Sequence, residues 1–267
     1  MGAKELDVVI TVIAVILVIM LWIMLYDSNR FVVRHYPLRD QRIKKSVKAV
    51  VLADLHNKRY GKENVRLLQA IDEIGPDMIL IAGDMLTAKP KATLDVAVGF
   101  LTELAKKYPV YYGNGNHEHR LKLYPENYGD MAGRYEEALT KIGIHRLVNE
   151  HKDLPEYGIR IYGSEIDRLY YKRFGIQSMD PEYLPGILGQ PSEEYFNILI
   201  AHDPDYFPKY ADWGADLVLS GHVHGGMVRV PFWGKGVVSP KVRLCRKNEG
   251  GEYTKGKSRM HLIRGHG

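Results

Sequence analysis

Residues 8–26 form an unbroken run of 19 without a charge. As a helix at 1.5 Å per residue the run spans about 28 Å, close to the ~30 Å hydrocarbon core of a bilayer. It is apolar on every side, whereas the core helix of a soluble protein keeps a polar stripe. No small-residue cleavage site follows Trp22, as a secretory signal would require. Trp22 and Tyr26 stand near its end, where interfacial aromatics sit. The pattern predicts a tail and transmembrane anchor over residues 1–27, a basic juxtamembrane linker over 28–47 and one folded domain over 48–267.

Beyond the anchor, apolar runs end abruptly in polar residues. Residues 46–54 read as a buried strand, 64–74 as a helix stopped by Gly75-Pro76, and 78–82 as a second strand. A helix over 94–107, a strand over 109–112 and a short helix over 135–142 follow, then strands over 159–163, 196–201 and 217–220. Residues 225–238 alternate weakly and carry Gly and Pro, the pattern of edge strands or a hairpin. A β-α-β-α-β start with a β-rich second half predicts an α/β domain, its central sheet covered by helices.

Composition removes several alternatives. Apolar residues make up 45% and charged residues 26%, which excludes a disordered chain, collagen and a multi-span membrane protein. A single cysteine excludes a disulfide framework and Cys-rich metal sites. The net charge of +5 is uneven: residues 1–48 hold 8 Lys/Arg against 4 Asp/Glu, and 241–267 hold 8 against 2. Residues 49–240 hold 21 against 26, so no nucleic-acid-binding face is expected. Arg30, Arg34, Arg39, Arg42, Lys44 and Lys45 follow the apolar run, and the positive-inside rule places them in the cytoplasm. The expected location is the cell membrane, with a single pass and the domain on the cytoplasmic face.

The chemistry lies at the strand ends. In such sheets ligands collect at the carboxyl ends of strands, and five strands in a row are expected to end in metal-type side chains. These are Asp54-Leu55-His56, Gly83-Asp84, Gly115-Asn116-His117-Glu118, Ala201-His202-Asp203 and Gly221-His222-Val223-His224-Gly225-Gly226. On an extended backbone Asp54 and His56 would point the same way, and His222 and His224 would repeat that geometry. Imidazoles, carboxylates and an amide oxygen suit Mn, Fe or Zn. Six or seven ligands suit two ions about 3.5–4 Å apart sharing a carboxylate, an arrangement for hydrolysing a phosphoester by in-line attack.

With these motifs in this order the chain resembles the calcineurin-like metallophosphoesterases, whose pattern runs D-x-H, G-D, G-N-H-[DE], H and G-H-x-H. It is most similar to their bacterial membrane-anchored branch, and the likeness covers residues 48–265. The resemblance implies a metallophosphoesterase fold, a central β-sandwich of mixed sheets flanked by helices. It implies two divalent ions, Mn first with Fe or Zn as alternatives. Asp54, His56 and His224 would hold one ion, Asn116, His202 and His222 the other, and Asp84 would bridge them. His117 would be catalytic, protonating the leaving oxygen or stabilising phosphoryl charge.

Two departures stand out. Protein phosphatases of that family orient the histidine with a carboxylate and bind phosphate with an adjacent Arg; here those places are Thr87 and Ala88. That argues against a phosphoprotein substrate and leaves His117 without an assigned support. Related anchored chains also continue past the Arg264-Gly265 stretch with a final strand, so an edge strand is expected to be missing.

Residues 164–197 hold four of the eighteen tyrosines and read as a surface loop with one small helix, or as a lid over the metals. The expected substrate is a phosphodiester or phosphomonoester. A lipid-linked diphosphate such as a UDP-acylated sugar is the alternative. A non-catalytic membrane-tethered metal-binding module is the competing class, and its expected loss of ligands is not seen.

Overall fold

The structure, a computed structural model, describes residues 2–172, 176–223, 228–229, 236–238, 250–263 and 265. Helix α1 (Ala3–Ser28) contains the apolar run; its stretch Lys4–Met24 is long and apolar enough to cross a membrane, and none of it is buried. Then come β1 (Ala49–Leu52), α2 (Val65–Ile74), β2 (Met78–Ala82), α3 (Asp95–Ala105) and β3 (Val110–Gly113). Helices α4 (Asn116–Leu123), α5 (Pro125–Tyr128) and α6 (Met131–Lys141) lead to β4 (His145–Leu147), β5 (Glu150–Leu154) and β6 (Ile159–Ser164). Helix α7 (Tyr183–Leu188), β7 (Phe196–Ala201), α8 (Phe207–Trp213) and β8 (Leu217–Ser220) follow. The last described strands are β9 (Val228–Arg229), β10 (Gly236–Val238), β11 (Gly251–Lys255) and β12 (Ser258–Leu262).

Ten of these strands form two sheets. Strands β1-β2-β3-β4 make a wholly parallel sheet. The other has the order β11-β12-β8-β7-β6-β5, parallel in its middle and antiparallel at both edges. Side chains alternate across each strand, so each sheet has two faces to bury. Leu80 of β2 and Ile198 and Ile200 of β7 fill the space between the sheets. Ile79 and Ile81 turn outward instead, under α2, α3 and α6, and Leu199, Val218 and Met260 face α7 and α8. The result is four layers, helix, sheet, sheet, helix. Ile81 is fully buried, and its truncation to Ala would cost about 2–5 kcal/mol.

Helix α2 ends where expected: Gly75 takes the left-handed conformation at φ 59° and its N–H closes the helix on Ile71 and Asp72. In the stretch read as edge strands or a hairpin, β9 and β10 pair antiparallel; residues 225–227 and 230–235 of it lie outside the described residues.

Residues 28–47, expected as a linker, lie along the domain. Phe31 packs on the helix-side core, edge-on to Tyr60 at 5.2 Å, and Tyr36 stacks on His261 at 4.3 Å. Leu38, Ile43 and Val47 join the core between the sheets. Arg42 grips Asp40 and Asp216, the latter just before β8. The segment is a strap that descends the sandwich before β1 climbs back.

The described residues of segment 164–197 are likewise built in. Tyr170, Met179, Leu184 and Leu188 are buried in the core beneath β6, β7 and β8, and Trp213 Nε1 donates to Gly189 O at 2.9 Å. These contacts make it part of the outer layer; a hinged lid would lack them.

Candidate metal centre

The carboxyl ends of β1, β2, β3, β7 and β8 converge at one end of the sandwich. Asp54 and His56 follow β1, Asp84 follows β2, Asn116 and His117 open α4 behind β3, and His202 and His222 follow β7 and β8. His224 lies outside the described residues. These strands do not run in a row, because β4, β5 and β6 stand between β3 and β7.

The extended geometry expected for Asp54 and His56 is not what aligns them. Their φ angles are 54° and 49°, and Asp84 and His222 stand at 55° and 71°, all in the left-handed region. Such conformations persist where the surroundings over-determine them. Here the loop after β2 does so: the N–H groups of Asp54, His56 and Asn57 donate to the carbonyls of Gly83, Asp84 and Met85, each at 3.0 Å. Thr87 Oγ1 adds a bond to His56 O at 3.1 Å. The His222 N–H donates to both Asp54 oxygens, at 3.1 and 2.9 Å.

Seven of the eight expected residues meet here. Donor atoms of His56, Asp84 and His117 lie within 4.8 Å of one another, and so do those of Asp84, His202 and His222. Asp84 belongs to both groups. Asp54 Oδ1 stands 3.7 Å from Nε2 of both His56 and His202. Asn116 Oδ1 is 2.6 Å from His222 Nδ1.

The residues present fit a divalent cation. His202 Nδ1 stands 2.6 Å from the Ala82 carbonyl, which fixes its proton there and leaves Nε2 facing the carboxylates. That Nε2 is buried 3.1 Å from Asp84 Oδ2 and has no other hydrogen-bond partner among the described residues. A buried polar atom so placed calls for a ligand. The backbone closes tightly around the carboxylates: a Cβ at Gly115 would strike Asp84, and one at Gly265 would strike Asp54.

Electrostatics agree. Burial opposes charge on Asp84, yet His202, His117 and His56 hold its carboxyl well below the usual range. Burial also opposes charge on His202, and Asp84 and Asp54 override it, pushing the ring up to about 10. His117 goes the other way, lowered chiefly by burial.

Two supports carry no assigned role in the sequence, although Glu118 closes its Gly115–Glu118 motif. Ala88 N–H donates to His117 Nδ1 at 2.8 Å, supplying a backbone support where a carboxylate was missed. Glu118 is buried and accepts from the N–H groups of Asp84, Met85 and Gly115 at 2.9, 3.0 and 2.9 Å, and from Tyr112 Oη at 2.7 Å. It thereby locks the Asp84 loop to the start of α4, and it caps that helix from its third position. Of segment 164–197, Tyr171 reaches the site, its ring centred 5.5 Å from that of His222.

Residues 47–226 match the family model described as calcineurin-like phosphoesterase. A Bacillus subtilis relative, the uncharacterized metallophosphoesterase YkuE, is 28% identical over 82% of this chain and 72% of its own length. Phosphodiesterase YaeI of Escherichia coli is 27% identical over 70% of this chain and 64% of its own. A Danio rerio transmembrane protein with metallophosphoesterase domain is 27% identical over 68% of this chain. The matched stretch spans 41% of that protein's length.

Proposed function

The chain belongs to the calcineurin-like phosphoesterase family, and on that premise we propose that it is a membrane-anchored dinuclear-metal hydrolase of a phosphodiester or phosphomonoester. The observation that carries this reading is Asp84, common to two groups of donor atoms each within 4.8 Å, one with His202 and His222 and one with His56 and His117, of which His117 is read as the proton donor. In it Asp54, His56 and His224 would hold one ion and Asn116, His202 and His222 the other, with Asp84 common to both sets. When bound, two divalent ions, Mn first and Fe or Zn as alternatives, supply an acidified water and neutralise phosphoryl oxygens.

The protein's own residues do the rest. With Nδ1 accepting from Ala88, His117 carries its proton on Nε2 and offers it as a hydrogen-bond donor to a phosphoryl or leaving oxygen. Glu118 keeps the Asp84 loop and Asn116 in register. A purely metal-binding module would have no use for a donor held in this way.

The anchor reading rests on α1 and on the basic flank that follows it, which favours a cytoplasmic domain. Tyr171 beside His222 favours a second reading, in which the substrate is a lipid-linked diphosphate and the insertion contacts its non-phosphate part. Purified, Mn-loaded protein screened against phosphomonoesters, phosphodiesters and lipid-linked diphosphates tests both. Hydrolysis of at least one class is expected. A metal-loaded protein inert on all of them would overturn the enzyme reading.

A further inference from the structure

We infer that the metal-centre end of the sandwich rests on the bilayer surface, so that the site opens toward the plane of the lipid headgroups. This inference rests on the reading of α1 as a membrane anchor. It concerns the face that the domain presents, which the anchor alone does not determine.

The first observation is connectivity. Ser28 ends α1, and Phe31 is already packed edge-on to Tyr60 at 5.2 Å. Tyr60 stands in the loop after β1, four residues beyond His56. At most about 3.6 Å of chain per residue allows roughly 11 Å from helix to Phe31 and roughly 14 Å from Tyr60 to His56. The strap then runs away from this end, to Arg42 at Asp216. The chain therefore leaves the membrane at the site end of the domain.

The second observation is where apolar side chains are left exposed. Outside α1, the large exposed ones among the described residues are Val32, Val33, Val65, Leu123, Leu169 and Ile176. Val32 and Val33 flank the Phe31 contact. Val65 opens α2 behind β1, and Leu169 and Ile176 follow the carboxyl end of β6. Leu123 is brought to the same end by Lys122, paired with Glu165, and by Arg168 over the Tyr124 ring. Apolar residues gathered at one end of a fold mark a surface that meets another phase or partner.

Charge then selects the bilayer. Apart from the site carboxylates, the loops after β1 and β2 carry Lys58, Arg59, Lys62, Lys89 and Lys91 against Glu63 alone. At the opposite end Asp216 and Asp212 are paired with Arg42 and Lys255, and residues 189–195 carry Glu193 and Glu194 without a cation in that stretch. A cationic rim with apolar side chains between its charges is the composition that settles into anionic headgroups.

The test uses the full chain in vesicles of phosphatidylcholine and phosphatidylglycerol. An environment-sensitive fluorophore is placed on single cysteines in a Cys245→Ser background, as Val65→Cys, Ile176→Cys, Glu193→Cys and Ile13→Cys. Lipids spin-labelled near the headgroup, or deep in the acyl chain, act as quenchers. Headgroup-level lipid should quench labels at 65 and 176 at least about twofold more than at 193, and the deep quencher should reach the label at 13. If the label at 13 is quenched but 65 and 176 behave like 193, the docked face is wrong, and a protein partner becomes the occupant to seek. If the label at 13 is not reached, the anchor reading fails and takes this inference with it. Neither readout depends on catalysis.

Discussion

The backbone N–H of Ala88 points at Nδ1 of His117 across 2.8 Å. A carboxylate in that place would accept a proton from the ring, whereas a backbone amide can only donate one. The imidazole is thereby held as the neutral tautomer with its proton on Nε2, in keeping with the lowering of its pKa by burial. His117→Ala should therefore keep both metal ions and slow turnover by about 10²–10⁴, the usual worth of a positioned acid–base group. The loss should shrink on nitrophenyl esters, whose leaving group needs little help. Metal analysis by atomic emission checks the division of roles, because a variant that loses an ion would make His117 a ligand.

Glu118→Gln should destabilise the fold and weaken metal binding together. The carboxylate accepts three backbone N–H bonds and one from Tyr112 while fully buried. An amide must turn its NH₂ toward at least one of those donors. The expected cost is about 1–3 kcal/mol, read from the midpoint of urea unfolding. Glu63→Gln, on an exposed residue, should leave that midpoint unchanged.

Metal affinity should rise with pH. His202, pushed up to about 10 in the metal-free protein by Asp84 and Asp54 against the effect of burial, holds a proton at neutral pH that an ion must displace. Metal binding should release protons, seen as a heat that differs between buffers of different ionisation enthalpy. For the metal-free fold the sign is reversed. The protonated ring stabilises it below the unfolded pKa, and that contribution is lost as the pH rises through about 10. Buffer-independent heats near neutral pH would contradict the assignment of His202.

Protease added outside intact cells should leave the domain whole, and protease added to inverted membrane vesicles should digest it. This follows from the cationic flank behind α1. The opposite pattern would place the metal centre on the other face.

Much of this molecule is legible in its residues, and the exceptions have physical reasons. Strands β2, β7 and β8 fall where apolar runs end in Gly-Asp or His, since buried parallel strands need uninterrupted apolar residues. Helix α4 was hidden because its sequence, NHEHRLKL, is polar and starts on a site residue. The turns at Asp54 and His56 could not be read because the partners that impose their positive φ lie in the loop after β2. Glu118 stands in the Gly115–Glu118 motif, but its bonds and that of His117 are to backbone amides, which carry no side-chain signature. The strap has no such signal in the sequence, because Leu38, Ile43 and Val47 follow neither a helical nor a strand period.

The central claim is that one carboxylate, Asp84, serves two metal ions, and counting ions in Asp84→Ala tests it most directly. The wild-type chain should carry two ions per molecule and hydrolyse a phosphoester. The variant should fall to one ion or none and lose hydrolysis, while far-ultraviolet circular dichroism shows the fold intact. A folded Asp84→Ala protein that still holds two ions and keeps its activity would contradict the account.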